Sequence, residues 1–174
     1  MSDHKNRPKY DWRNYPPEEI PSSTEPPKQL TNSIRRGESI LDIGCGVGRS
    51  TLALASIGHR ISGIDINPLA IARAKTQASE AKVDVSFTTA DATHLHNIES
   101  AAFDAVLMQA FLTTLATPEE RTTAISESFR VLKLGGKLFM VEFLQNWNSS
   151  NYRDRYIRGI KLNLADGTFP VFSE

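Results

Sequence analysis

Residues 40–51, Ile40-Leu41-Asp42-Ile43-Gly44-Cys45-Gly46-Val47-Gly48-Arg49-Ser50-Thr51, run from an apolar segment into a glycine-dense turn and then into a helical pattern. Glycines at alternate positions leave the turn without side chains, so a ligand can lie against bare backbone. Amides at the start of the following helix add donors and a partial positive charge. A dinucleotide fingerprint places glycines at the first, third and sixth positions, and the sixth position here is Arg49. Asp42 stands just before the turn, where a carboxylate would repel a pyrophosphate. A cationic or zwitterionic ligand fits better. The alternative is a tight strand-to-helix turn without a ligand, but three such glycines carry a backbone-entropy cost that packing alone rarely requires.

The flanking sequence alternates strand and helix signals. Ser39–Ile43 reads as the first strand, and Val47, Thr51, Leu54 and Ala55 then recur at helical spacing until Gly58. Ile61–Asp65 reads as the second strand; Asn67 is an N-cap with Pro68 at the first helical position, and an alanine-rich run continues to Ala81. Val83–Thr88 supplies a third strand, and Phe103–Gln109, apolar on both faces, a central one covered on both sides. Thr117-Pro118-Glu119-Glu120 forms a capping box, opening a helix whose Ala124, Ile125, Phe129 and Leu132 are expected to face the sheet. Gly135-Gly136 is expected to end that helix, and Lys137–Phe143 to form the fifth strand. A short helix around Pro27–Arg35 precedes the first strand. The pattern predicts an α/β, doubly wound, mostly parallel sheet with right-handed crossovers, whose ligand lies beyond the carboxyl ends of the strands.

Three segments follow from this reading: an irregular proline-rich arm over 1–27, an α/β domain over 28–143, and a helix with a tail over 144–174. The arm carries Tyr10, Trp12 and Tyr15, aromatics that either anchor it to the body or close over a ligand. Tyr152, Tyr156, Ile160 and Leu164 lie four apart and predict the late helix, with Arg153, Arg155, Arg158 and Lys161 on its wetter faces. Only one short strand, broken by Pro170, fits in Thr168–Phe172.

The 174 residues suit one domain with a sizeable core. Twenty basic residues balance twenty acidic ones, so no overall field favours nucleic acid or an anionic membrane. A single cysteine, Cys45, excludes an internal disulfide and a cysteine-based metal cluster and fits a reducing compartment. No apolar run reaches the length of a membrane span, and the polar start is no signal peptide. The expectation is a cytoplasmic protein that holds no metal. Asp65 lies 21 positions after Gly44, where a doubly wound fold puts a carboxylate within reach of ribose hydroxyls; a strand-end aspartate that caps the Asn67 turn is the alternative.

The segment Ile40–Gly48 resembles motif I of the class I S-adenosylmethionine-dependent methyltransferases, an aliphatic residue followed by Leu-Asp, a second aliphatic and Gly-Cys-Gly-x-Gly. The resemblance extends to Ala90-Asp91-Ala92 after the third strand and to Val131–Leu138 before the fifth, where Leu134 replaces the family's proline. It implies a Rossmann-like methyltransferase sheet and S-adenosyl-L-methionine as cofactor, with S-adenosyl-L-homocysteine as product. It further implies that Asp42, Gly44, Cys45, Gly46 and Gly48 shape the cofactor turn, that Asp65 binds the ribose, and that Ile66, Asp91 and Ala92 surround the adenine. Gln109-Ala110-Phe111 would lie along the methionine portion. Absence of the Asp/Asn-Pro-Pro-aromatic motif after the fourth strand argues against a nucleobase or glutamine amine and for a small-molecule acceptor. Should that acceptor need a base, the weak candidates are His94, close to Asp91, and Glu142, near the end of the fifth strand; His94 and its neighbour His96 read equally as solvated loop residues.

The family fold normally adds a further helix and two strands after the fifth, for which Leu144–Glu174 has no room. Either the sequence belongs to a longer chain, or a neighbouring chain covers the open edge as a homodimer. The expected sheet therefore lacks the complete C-terminal hairpin. Two other function classes remain: a cofactor-binding module without transfer activity, and a nicotinamide oxidoreductase, which Arg49 and Asp42 disfavour.

Overall fold

The structure, a computed structural model, describes residues 11–20, 25–142 and 150–161. Five strands, β1 (Ser39–Ile43), β2 (Arg60–Asp65), β3 (Ser86–Thr89), β4 (Phe103–Gln109) and β5 (Leu132–Val141), form one sheet in the order β3-β2-β1-β4-β5. Every pairing is parallel. The strand order reverses between β1 and β4, and this switch leaves a crevice at their carboxyl ends. Helices α1 (Lys28–Ser33), α2 (Arg49–Ser56), α3 (Pro68–Ala81), α4 (Pro118–Val131) and α5 (Ser150–Lys161) complete the fold.

The central strands are buried on both faces, as their unbroken apolar runs require. Leu41, Ile43, Val106 and Met108 pack with Leu95, Ala124 and Val131 on one side; Ile40, Ala105 and Leu107 pack with Leu30 and Leu54 on the other. α3 is capped as its sequence predicts: the Asn67 side-chain oxygen accepts from the Leu69 and Ala70 amides. The Thr117 capping box forms as well.

Four details depart from the sequence reading. β3 starts at Ser86 rather than Val83, because Lys82 turns left-handed (φ 54°) and the Val83 amide returns to the Ala78 carbonyl. α4 ends at Val131 rather than Gly135, and Leu132 already pairs with Phe103; the glycines lie within β5 at a register shift against β4. Phe129 is 62% exposed, so the buried stripe of α4 is Ala124, Ser128 and Val131, one residue out of phase with the apolar residue that suggested it. β5 ends at Val141, and Phe143 lies outside the described residues.

The late helix forms as α5, with Arg153, Arg158 and Lys161 exposed; Leu164 and the expected strand at 168–172 lie outside the described residues. Among the described residues the sheet stops at β5, and no helix is long and apolar enough to cross a membrane.

Candidate functional site

β1 delivers its chain into the switch-point crevice through three left-handed glycines, Gly44 (φ 75°), Gly46 (φ 54°) and Gly48 (φ 82°), a conformation that costs a side-chain-bearing residue about 1–2 kcal/mol. Bare backbone is also needed for space. A Cβ at Gly48 would come within 2.7 Å of the Phe87 ring, and one at Gly44 would collide with the ring of Phe111. The turn folds over the end of β2: the Gly44 and Cys45 amides donate to the Ile64 carbonyl, and the Gly46 amide donates to Asp65 Oδ2 at 2.8 Å. The Gly48 amide is taken by the Cys45 carbonyl. These four donors are therefore spent inside the protein, and the turn itself offers shape rather than an array of amides.

Around it lies a cleft of about 330 Å³, a volume suited to a small ligand or cofactor. Asp42, Gly44, Cys45, Gly46, Asp65 and Ile66 line one side, and Asp91, Ala92 and Gln109 line others. Of the residues singled out for a ligand, only Gly48 is set back, at the N-cap of α2. His94 and Glu142 do not line the cleft. His94 is exposed, its Nδ1 2.7 Å from the Thr93 hydroxyl and its ring 5.8 Å from that of His96. Glu142 Oε1 accepts the amides of Phe111 (3.0 Å) and Leu112 (2.8 Å).

Two carboxylates, the buried Asp42 and the half-buried Asp65, dominate the electrostatics. Asp42 is 2% exposed and accepts the Thr51 hydroxyl at 2.6 Å. Burial pushes its carboxyl up to about 7; the Thr51 bond opposes this, and the nearby Asp65 charge adds to it. Burial also raises Asp65, against the pull of the Asn67 and Gly46 amides that it accepts. Neither carboxylate has a lysine or arginine within salt-bridge distance among the described residues. A positive charge entering this corner of the cleft would favour the ionised form of both carboxyls. Burial pushes the Cys45 thiol well up, and its side chain packs with Ile71 and Phe87 as an apolar group. Asp91 is different: partial burial raises its carboxyl, but the Thr93 hydroxyl and amide outweigh this and, with His94 and Arg13, hold it below the usual range.

The arm takes part in the site. Asn67 Nδ2 donates to the carbonyls of Trp12 (2.9 Å) and Tyr15 (2.7 Å), and the two rings sit 5.1 Å apart. Trp12, Arg13 and Ile20 line the cleft, and a Cβ at Gly46 would lie 3.3 Å from the Ile20 side chain. Gln109 accepts the Ser50 hydroxyl through Oε1 and donates through Nε2 to the Glu25 carbonyl. Tyr10 lies outside the described residues. The sequence showed Asn67 as a helix cap but not as the clasp for a segment more than 50 positions away, and it offered no local signal for Ser50, Ile20 or Glu25.

Three comparisons bear on this geometry. Residues 41–140 match the family described as "Methyltransferase domain". A solved SAM-dependent methyltransferase from Methanosarcina mazei superposes with a TM-score of 0.78 at 39% identity, covering 83% of this chain and 71% of that one. The ubiquinone biosynthesis O-methyltransferase of Xanthomonas oryzae pv. oryzae is 32% identical over 104 residues, 60% of this chain and 42% of that protein. The 27-O-demethylrifamycin SV methyltransferase of Amycolatopsis mediterranei is 36% identical over 114 residues, 64% of this chain and 40% of its own length. The chain thus spans less than half the length of these two curated relatives.

Proposed function

The chain belongs to the methyltransferase-domain family, the class I S-adenosylmethionine-dependent methyltransferases, and from that premise we propose that it transfers a methyl group from S-adenosyl-L-methionine to a small-molecule acceptor by in-line displacement. The observation that carries the proposal is a pair of carboxylates, the buried Asp42 and the half-buried Asp65, that flank the bare glycine turn without a cationic partner among the described residues. A ligand with a sulfonium, an ammonium and a diol answers that pair of acceptors; a pyrophosphate does not.

Asp65 binds the ribose: each of its oxygens accepts one backbone amide and retains a lone pair for a ribose hydroxyl. Asp91 accepts from the adenine amine, with Ile66 and Ala92 beside the ring. Gly44 and Gly46 give the ligand room to approach, Asp42 orients its ammonium, and Gln109 and Phe111 lie along the methionine portion. Gly48 keeps the turn in shape from behind, and Cys45 lines the cleft beside it. When bound, the cofactor supplies a methyl group already activated on sulfonium sulfur, so the protein's share is alignment and the exclusion of water, worth up to ~7–11 kcal/mol for well-oriented reactants. Trp12 and Ile20 on the arm, with Phe111 after β4, supply the apolar lining that excludes water.

The names of the two curated relatives both place the methyl group on oxygen of a small molecule, which supports hydroxylated metabolites as the first acceptors to test. The charge balance supports a reading without nucleic acid or membrane partners, and the single cysteine supports a cytoplasmic setting. The β5 edge is unpaired among the described residues and bears the fully exposed Leu134, which supports a second chain or strand there.

The test is incubation of the protein with methyl-labelled S-adenosyl-L-methionine and a panel of phenols, hydroxylated quinols and macrocyclic alcohols. The expected result is label in one acceptor class together with S-adenosyl-L-homocysteine. Cofactor binding without transfer to any member would replace this reading with a binding module.

A further inference from the structure

We propose that Glu142 is a positioning residue, whose carboxylate fixes the Phe111 ring over Gly44 and thereby sets the wall at the methionine end of the cofactor site. The inference rests on the cofactor reading above and assigns Glu142 a role other than proton transfer.

β4 leaves the sheet through a turn whose first residue, Ala110, is left-handed (φ 53°) although it carries a side chain. Such a residue persists only where its surroundings hold it. Here the end of β5 supplies the hold. The Ala110 amide donates to the Val141 carbonyl at 2.7 Å, and the next two amides, Phe111 and Leu112, both converge on Glu142 Oε1. Three consecutive donors are thus taken by two consecutive residues. The far side of the same turn is closed by the Phe111 carbonyl, which accepts the Thr114 amide and hydroxyl, and by Arg121, which donates to the Leu112 and Leu115 carbonyls. The product of this bracing is the placement of Phe111. Its half-buried ring fills the space that a side chain at Gly44 would need, and the residues that follow it, Thr113 to Ala116, line the cleft.

Glu142 itself stays out of the cleft, and its second oxygen, Oε2, is buried without a hydrogen bond among the described residues. One oxygen therefore does the holding. A glutamine, which keeps one acceptor oxygen, can hold the two amides; an alanine cannot, and leaves two donors unpaired. A general base would instead be lost equally in both variants, and in transfer rather than in binding, since neither glutamine nor alanine can accept a proton.

The experiment measures affinity for S-adenosyl-L-homocysteine and for adenosine, with thermal melting, in the wild-type chain and in Glu142→Gln, Glu142→Ala and Phe111→Ala. The first ligand reaches the Phe111 wall; the second ends at the ribose. The expected result is a loss of about tenfold or more in S-adenosyl-L-homocysteine affinity for Glu142→Ala, from unsatisfied charge-assisted bonds, with adenosine affinity changed by less than about threefold. Phe111→Ala, which leaves the backbone amides in place, shows the same selective loss and covers the case in which Glu142→Ala does not fold. Glu142→Gln binds within about threefold of wild type, with an unchanged pH profile of binding between pH 6 and 9. The proposal is overturned if glutamine is as damaging as alanine, if both ligands weaken together, or if alanine lowers only the melting temperature. Failure of the wild-type chain to bind either ligand would instead overturn the cofactor reading and remove the proposal with it.

Discussion

Replacing Asp42 by asparagine isolates the electrostatic cost of the site. Asp42 moves from an ordinary 3.8 to about 7 on folding, through burial first. At about 1.36 kcal/mol per pH unit, ionising it costs the folded chain about 4 kcal/mol more than the unfolded one. The folded state holds this proton more tightly, so Asp42's contribution is fully present below pH 3.8 and is lost as pH rises through about 7. About 3 kcal/mol of the loss falls between pH 4.5 and 7.5. Asparagine keeps an oxygen to accept the Thr51 hydroxyl and carries no charge at any pH. Urea unfolding at pH 4.5, 6.0 and 7.5 should therefore show the variant gaining on wild type by about 3 kcal/mol across the series, whatever other groups titrate in both proteins. A stability difference that does not change with pH would show that Asp42 is not raised on folding. The same linkage predicts proton release on cofactor binding near pH 6.5, because a bound cation favours the ionised form. Calorimetry in buffers of different ionisation heat measures it directly.

Other perturbations act on separate parts of the site. Gly44→Ala combines a left-handed residue, costing about 1–2 kcal/mol, with a collision against Phe111; thermal melting should show that loss, and binding of S-adenosyl-L-homocysteine should weaken beyond detection. Asn67→Ala removes a helix cap worth about 1 kcal/mol and both clasps on the arm, so limited proteolysis should cleave within residues 11–20 faster than in wild type, with Trp12 fluorescence shifted to the red. His94→Ala, at an exposed side chain outside the cleft, should leave cofactor affinity within about twofold and stability within about 0.5 kcal/mol; a large loss of transfer would return His94 to the chemistry.

Much of the scaffold can be read from local signals because the strands and caps are locally encoded. β1 and β4 begin and end where their apolar runs do, and α3 starts at the Asn-Pro pair that signals it. Misplaced boundaries have local causes too. Lys82 has no glycine to mark its left-handed turn, so β3 reads three residues early. Phe129 is a large apolar residue on the wet face of α4, where serine at 128 holds the buried position by bonding back to the Ala124 carbonyl. The site is legible as a set of positions but not as a bonding pattern. Nothing near Gly44 and Cys45 signals that Ile64 takes their amides, and nothing near Glu142 signals that it braces a turn about 30 positions earlier. Such pairings arise when topology brings the ends of β1, β2, β4 and β5 to one edge, and a periodicity cannot carry them.

On this reading the glycine turn, with Asp42 and Asp65, holds a nucleoside sulfonium. Calorimetric titration of the folded wild-type chain and of Asp65→Ala with S-adenosyl-L-homocysteine, with NAD as the competitor, tests it most directly. The expected result is one saturable site in wild type, affinity lower by about tenfold or more in Asp65→Ala, and weaker binding of NAD. No heat and no thermal protection from S-adenosyl-L-homocysteine in a demonstrably folded chain, or tighter binding of NAD, would contradict it.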